Sequence, residues 1–236
     1  MIRLVHASDI HLGEDGFVDM GVPPDRAERA MKALVDLCIE SSAQLLLIAG
    51  DLFDNNRVDD AVVDFSLTEM RRAGVPVVVL PGNHDCLVPD SVYHRVCHAA
   101  SPPGVCVFTA AEGEQFSFPE LDLAVWGKPI TWYGGALRPL AGVPPRSGEK
   151  WQIAVAHGHY VGTEGGQSYS LQISLQEILS TRRDYVALGH WDFFSCVCQK
   201  GVKACYAGSA ITSGTAAVVD FSDHLGVRVR PQRLPC

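Results

Sequence analysis

Five short stretches carry residue types that hold divalent cations, and each follows an apolar, strand-like run. They are Ser8-Asp9-Ile10-His11, Gly50-Asp51-Leu52-Phe53-Asp54, Pro81-Gly82-Asn83-His84-Asp85, His157-Gly158-His159 and Gly189-His190-Trp191-Asp192. Taken singly, an Asp after a strand is more often a turn or helix-cap residue than a ligand. Together, in this order, the five supply enough oxygen and imidazole ligands for two adjacent ions bridged by a carboxylate. Two-metal sites with ions roughly 3.5–4 Å apart are a standard device for breaking phosphate esters. Imidazole beside carboxylate suits Mn, Fe, Zn or Ni better than Ca. The expected cofactor is therefore a pair of divalent transition-metal ions, manganese first.

Each residue type has a role that its chemistry suits. Asp9 and His11 lie two apart after the first strand, and in a still-extended segment both would project to one side and reach one ion. Asp51, turned between Gly50 and Leu52, has two oxygens, one for each metal. Asn83 offers a neutral carbonyl oxygen, and His157 and His190 end later strands. His84 adjoins Asn83 and should point elsewhere, towards the transferring phosphate. There it would stabilise charge or protonate the leaving oxygen, an effect worth about 10²–10⁴-fold in rate. Asp85 is expected to orient His84, and a metal-bound hydroxide to act as nucleophile. Asp54 and His159 are close enough in sequence to line the site. His6 reads as a core residue, His94 and His98 as surface, and His224 as part of a turn.

Elements that could position these groups are visible in the hydrophobic pattern. Residues 2–7, 44–49 and 75–80 read as buried strands. Between them, Ala27, Ala30, Met31, Leu34, Leu37 and Cys38 recur at helical spacing after Asp25, and residues 59–73 form a second helix closed by Gly74. This alternation predicts parallel strands joined by right-handed crossovers. Beyond residue 105 short strands dominate: 105–109, 114–118, 121–127, 152–156, 185–188, 193–199, 202–207, 216–221 and 227–230. One more helix falls near 174–180, and residues 128–150 and 162–169 read as long loops. The two halves each add strands to a packed sheet pair flanked by helices, in one domain over residues 1–236. Every candidate ligand follows a strand, where open α/β sheets bind their ligands.

Composition sets bounds. The 236 residues are 47% hydrophobic and 19% charged, ordinary for a globular protein. No apolar run approaches the roughly 18 residues of a spanning helix, and the N-terminus enters a strand without a leader pattern; a cytoplasmic location away from membranes is expected. The eight cysteines lack paired zinc-knuckle spacing, so reduced, mostly buried thiols are expected, with a cross-strand disulfide among Cys196, Cys198 and Cys205 as the alternative. A net charge of −8 argues against a broadly basic, non-specific nucleic-acid surface. Arg26, Arg29, Arg57, Arg71, Arg72, Arg182 and Arg183 are scattered candidates for a local basic groove, and most read as solvated helix surface.

The motifs D-I-H, G-D-L-F-D, G-N-H-D and A-H-G-H resemble the pattern of the calcineurin-like metallophosphoesterase superfamily. Ser8 to Gly13, Leu80 to Asp85, Tyr185 to His190 and Tyr206-Ala207-Gly208-Ser209 resemble one branch, the SbcD-type double-strand-break repair nucleases. The resemblance covers residues 1–221. It implies a four-layer α/β/β/α sandwich of two mixed sheets flanked by helices. It also implies one metal on Asp9, His11, Asp51 and the last position of G-H-x-H, and a second on Asp51, Asn83, His157 and His190, with His84 contacting phosphate. Two departures stand out. Asp192 replaces the last histidine, which alters the charge and reach of that ligand, and the chain ends where the repair nucleases continue into DNA-capping and ATPase-docking sequence.

The expected function is metal-dependent hydrolysis of a phosphodiester, with DNA or a nucleotide as substrate. A phosphomonoesterase, a small-nucleotide phosphodiesterase and a non-catalytic interaction module that keeps the fold are the alternatives. A homodimer and an ATPase partner chain are compatible with the sequence, although the short C-terminus does not support the latter.

Overall fold

Strand β1 (Ile2–Ala7) is buried almost throughout and pairs in parallel with β2 (Leu45–Ala49), which pairs in parallel with β3 (Val77–Leu80) and that with β4 (Val105–Val107). The computed structural model describes residues 1–14, 23–99, 104–132, 137–163, 170–198 and 200–235. The expected loop over 162–169 lies mostly outside these residues. Helix α1 (Arg26–Glu40) starts after Asp25 and buries Ala27, Ala30, Met31, Leu34 and Cys38 on one face. Helix α2 (Asp60–Arg72) places Arg71 and Arg72 in its last turn, where cations favour the helix dipole. Gly74 follows at φ +67°, a conformation that glycine adopts without a Cβ penalty. Strand β3 begins two residues later than the apolar run suggested. Pro76 has no N–H to give, and its carbonyl accepts from Leu46 instead.

A short helix α3 (Val92–Ala99) leaves His94 and His98 exposed, as expected. The second half supplies β5 (Glu114–Phe118), β6 (Leu123–Gly127), β7 (Trp151–His157), the short pair β8 (His159–Tyr160) and β9 (Gln172–Ile173), α4 (Leu175–Ser180), β10 (Tyr185–Gly189), β11 (Ser195–Cys198), β12 (Lys203–Tyr206), β13 (Thr215–Ser222) and β14 (Gly226–Arg233). Ser174 and Glu177 form a reciprocal capping box that fixes the start of α4. The β8–β9 pair leaves no trace in the hydrophobic pattern because each strand has only two residues.

The strands form two six-stranded mixed sheets, ordered β14-β13-β1-β2-β3-β4 and β11-β12-β10-β7-β6-β5. Side-chain alternation along each strand divides the apolar residues among three interfaces. Val5, Leu46, Ile48, Val77 and Val79 face α1, α2 and α3. Leu4, Leu45, Leu47, Val78 and Leu80 face Val125, Ile153, Val155, Tyr185 and Ala187 of the other sheet. Ala154, Ala156, Val186 and Leu188 pack beneath Ile178 of α4. The result is the four-layer α/β/β/α sandwich. Each fully buried Leu or Val contributes about 1.5–3 kcal/mol by leaving water.

The expectation of reduced thiols is corrected at one pair. Antiparallel pairing sets Cys196 opposite Cys205, with Cα atoms 4.0 Å apart, and the two form a disulfide. Cys38, Cys86 and Cys198 are buried free thiols, Cys106 is half-buried and Cys97 is exposed. Among the described residues, no helix is long and apolar enough to cross a membrane.

Candidate metal centre

The carboxyl ends of β1, β2, β3, β7 and β10 converge, and the chain departs from regular structure at each. Asp9, His11, Asp51 and His190 all have positive φ, between 52° and 96°. Such conformations cost about 1–3 kcal/mol for non-glycine residues and cluster at functional sites. Asp9 and His11 therefore do not lie in an extended segment. The strand ends at Ala7, and the next residues turn to donate their backbone N–H groups to Gly50 and Asp51 of the neighbouring loop. The turn, not strand alternation, brings Asp9, His11 and Asp51 to one cluster, their ligand atoms within 4.8 Å of each other.

A second cluster joins Asp51 to His157 and His190. His157 ends β7 and is fully buried. Its Nδ1 lies 2.8 Å from the Ala49 carbonyl oxygen and donates to it, so Nε2 faces the centre, 3.2 Å from Asp51 Oδ2. Asn83 Oδ1 lies 3.0 Å from His157 Nε2 and 2.9 Å from His190 Nδ1. Gly50 and Gly82 permit this crowding: a Cβ at Gly50 would strike the His157 ring, and one at Gly82 the Asp51 carboxylate.

His84, half exposed, donates from Nδ1 to the Asp54 carbonyl oxygen at 3.0 Å, which leaves Nε2 as the ring nitrogen outside that bond. Its backbone N–H donates to Asp51 Oδ1 at 2.9 Å, so the Asp51 carboxylate and the Asn83-His84 loop are locked together. Asp54 Oδ1 also lies 3.2 Å from His11 Nδ1.

Two site expectations are revised, and His159 is found beside the cluster as a lining residue would be. Asp85 does not orient His84. Its buried carboxylate accepts from the backbone N–H groups of Gly82 and Phe53, at 2.7 and 3.0 Å, and from the Tyr93 hydroxyl at 2.6 Å. It braces the loop after β3 against the loop after β2, and the His84 ring meets Asp54 and the His11 ring instead. A third cluster joins His11, Asp54 and His84, and Asp192, which is exposed, belongs to none of the three among the described residues. Its carbonyl accepts from Ser209 N–H at 2.9 Å. His159, only adjacent in sequence, has its Nε2 2.9 Å from His190 Nε2. That contact depends on the pairing of β8 with β9, which no local spacing announces. His6 is fully buried as expected, with Nδ1 2.9 Å from the Tyr185 hydroxyl.

Electrostatics agree with a cation site. Burial opposes ionisation of Asp51, yet the touching His157 imidazole, with His11 and His84, holds it below the usual carboxylate range. Burial pushes the Asp9 carboxyl up, His157 opposes this and Asp51 adds to it. His157 is disfavoured as a cation by burial but raised to about 10 by Asp51 and Asp9. His11 reaches about 9 by the same balance, with Asp54 its main carboxylate partner. His190 is pushed down to about 3 by burial and by its neighbouring histidines. Among the described residues, Asp51 has imidazoles and no Lys or Arg as ion-pair partners. Buried carboxylates without a fixed cation are costly. Asn83 oxygen and several imidazole nitrogens directed at the same small volume supply what divalent ions need, so the donor set fits two of them.

Comparison with known proteins agrees with this geometry. The profile of the calcineurin-like phosphoesterase family matches residues 2–202. The chain is a calcineurin-like phosphoesterase. This calcineurin-like phosphoesterase is 31% identical over 100 residues to the DNA double-strand break repair protein Mre11 of Archaeoglobus fulgidus, covering 39% of the chain and 22% of that protein. It is 24% identical over 206 residues to the uncharacterized metallophosphoesterase YhaO of Bacillus subtilis, covering 80% of the chain and 48% of that protein. The matches thus span about half or less of these relatives' length. A dimetal phosphatase from Danio rerio shares the fold at a TM-score of 0.63 and 12% identity, over 97% of this chain and 98% of that one. The protein TT1561 of Thermus thermophilus does so at 0.63 and 11%, over 98% of each chain.

Proposed function

We propose that this phosphoesterase hydrolyses phosphodiesters with two divalent ions, manganese first among them. Asp9, His11 and Asp51 would hold one ion, and Asp51, Asn83, His157 and His190 the other. Bound ions would acidify water and offset charge on the phosphoryl oxygens. Asp51 joins the two halves of the site and, through the His84 N–H, holds the reacting loop in register. His84 Nε2 meets the phosphate or the leaving oxygen, because its Nδ1 is occupied by the Asp54 carbonyl. That fixed ring is the observation that carries the reading: with its Nδ1–H given to Asp54, Nε2 is the nitrogen left for the substrate, accepting a proton in the neutral ring and donating one in the imidazolium.

Preference for a diester over a monoester rests on space. A cavity of about 620 Å³, bordered by Arg57, His84, Val88 and Trp132, opens on the His84 side. Another of about 240 Å³ opens on the His159 side. A diester has a substituent for each. The likeness to Mre11 supports DNA or a nucleotide as the source of that diester, while a net charge of −8 favours short ligands over long duplex. The alternative of a non-catalytic scaffold is opposed by the intact cluster around Asp51.

The test is hydrolysis of bis-p-nitrophenyl phosphate by metal-stripped protein after Mn²⁺ is restored, with Asp51→Asn as control. The expected result is Mn²⁺-dependent turnover that the variant loses. Turnover that persists in Asp51→Asn, or none with any first-row metal, would sink the proposal.

A further inference from the structure

We propose that the cavity beside His159 is a nucleobase subsite, which makes the substrate of the metal centre a nucleotide ester. It is lined by His159, Tyr160, Trp191, Ser195, Val197 and Tyr206. The inference rests on the phosphodiesterase reading for the reacting centre, but the subsite has observations of its own.

The cavity adjoins the cluster. His159 lines the cavity and its Nε2 lies 2.9 Å from Nε2 of the cluster residue His190, and Trp191 directly follows His190 in sequence. A ligand phosphate held at the cluster would thus bring its neighbouring group to this wall. The wall is aromatic. Trp191 leaves 49% of its surface in water, an uncovered face that gains apolar contact only when something flat lies on it. Tyr206 is rigid: its hydroxyl donates to the Gly158 carbonyl and accepts from the Tyr160 N–H, both at 2.7 Å. Those two bonds fix β8 and β12 around the opening. Ser195 adds a hydroxyl that can read a base edge.

Size limits the occupant. At about 240 Å³ the cavity falls below the roughly 300–1,000 Å³ of pockets that enclose drug-sized ligands. One ring system fits that volume, with the sugar and phosphate outside it. Charge points the same way. The phosphate goes to the cluster and an acidic surface adds little beyond it, so the gain from a base has to come from stacking, which tolerates any base.

Calorimetry on Mn²⁺-loaded protein tests this with thymidine 5′-monophosphate and 2-deoxyribose 5-phosphate, which share a phosphate and differ by the base. Wild type should bind the nucleotide at least about fivefold more tightly, the lower end of stacking effects. Trp191→Ala should erase that difference and Trp191→Phe restore most of it. Phe193→Ala, an exposed aromatic outside the cavity, should retain it. Circular dichroism and metal content establish that each variant is folded and loaded. Equal affinity for the two ligands in wild type, no binding of either, or discrimination that survives in Trp191→Ala overturns the subsite. The readout is independent of turnover: base discrimination with no hydrolysis of bis-p-nitrophenyl phosphate sinks the diesterase reading and keeps the subsite.

Discussion

His84 and Asp51 set an exposed imidazole beside a buried carboxylate. The His84 side chain reaches outward while its backbone N–H binds Asp51 Oδ1, so truncating the side chain leaves the anchoring bond intact. His84→Ala should therefore lower kcat by about 10²–10⁴-fold at unchanged metal content, measured by elemental analysis beside a steady-state assay; parallel loss of metal would place His84 among the ligands instead. The raised imidazoles make a second prediction. His157 at about 10 and His11 at about 9 hold protons in the metal-free cluster. A divalent ion must displace those protons, which are bound below these values and leave as pH rises towards them. Mn²⁺ affinity should accordingly climb from pH 6 to pH 9, with proton release on binding. Calorimetry in buffers of different ionisation enthalpy measures both, and pH-independent affinity would refute the assignment.

Between elements, the decisive link is the buried Asp85 carboxylate, which ties the loop after β3 to the loop after β2. Tyr93, from α3, closes that link from behind. Burial and the nearby Asp51 raise Asp85 to about 6, so its oxygens depend on three donors for compensation. Tyr93→Phe removes one and should cost about 1–3 kcal/mol of stability, read from urea denaturation. A loss well below that would mean the brace is redundant. The same bracing explains why Asp85 reads as catalytic from the motif alone: its place next to His84 is sequential, while its contacts are with groups three to more than thirty residues away.

For the whole molecule, two sheets and their helices hold five strand ends together. Candidate ligands come from both sheets, Asp9, Asp51 and Asn83 from the first and His157 and His190 from the second. Metal binding should therefore stabilise the sandwich as a unit, by about 2.7 kcal/mol at a free ion concentration one hundred times Kd. Chelation by EDTA should lower Tm in a single transition. An unchanged Tm would show that the cluster holds no ion under those conditions.

Much of this was written locally. The β-branched and Leu-rich runs fix β1, β2 and β3, the 3.6-residue recurrence fixes α1, and glycines at 50, 82 and 189 mark where backbone must pass close to side chains. That Asp9, His11, Asp51, Asn83, His157 and His190 gather at one place was legible because open α/β sheets bring their strand ends together at one edge. Only tertiary structure decided the rest. The left-handed turns at Asp9 and His11 arise from hydrogen bonds to a loop some forty residues away. Strand register sets Cys196 against Cys205, His159 enters β8 and meets His190, and Asp192 stands exposed outside the ligand clusters of the described residues. These outcomes depend on where distant backbone lies, and a spacing pattern records only what is near along the chain.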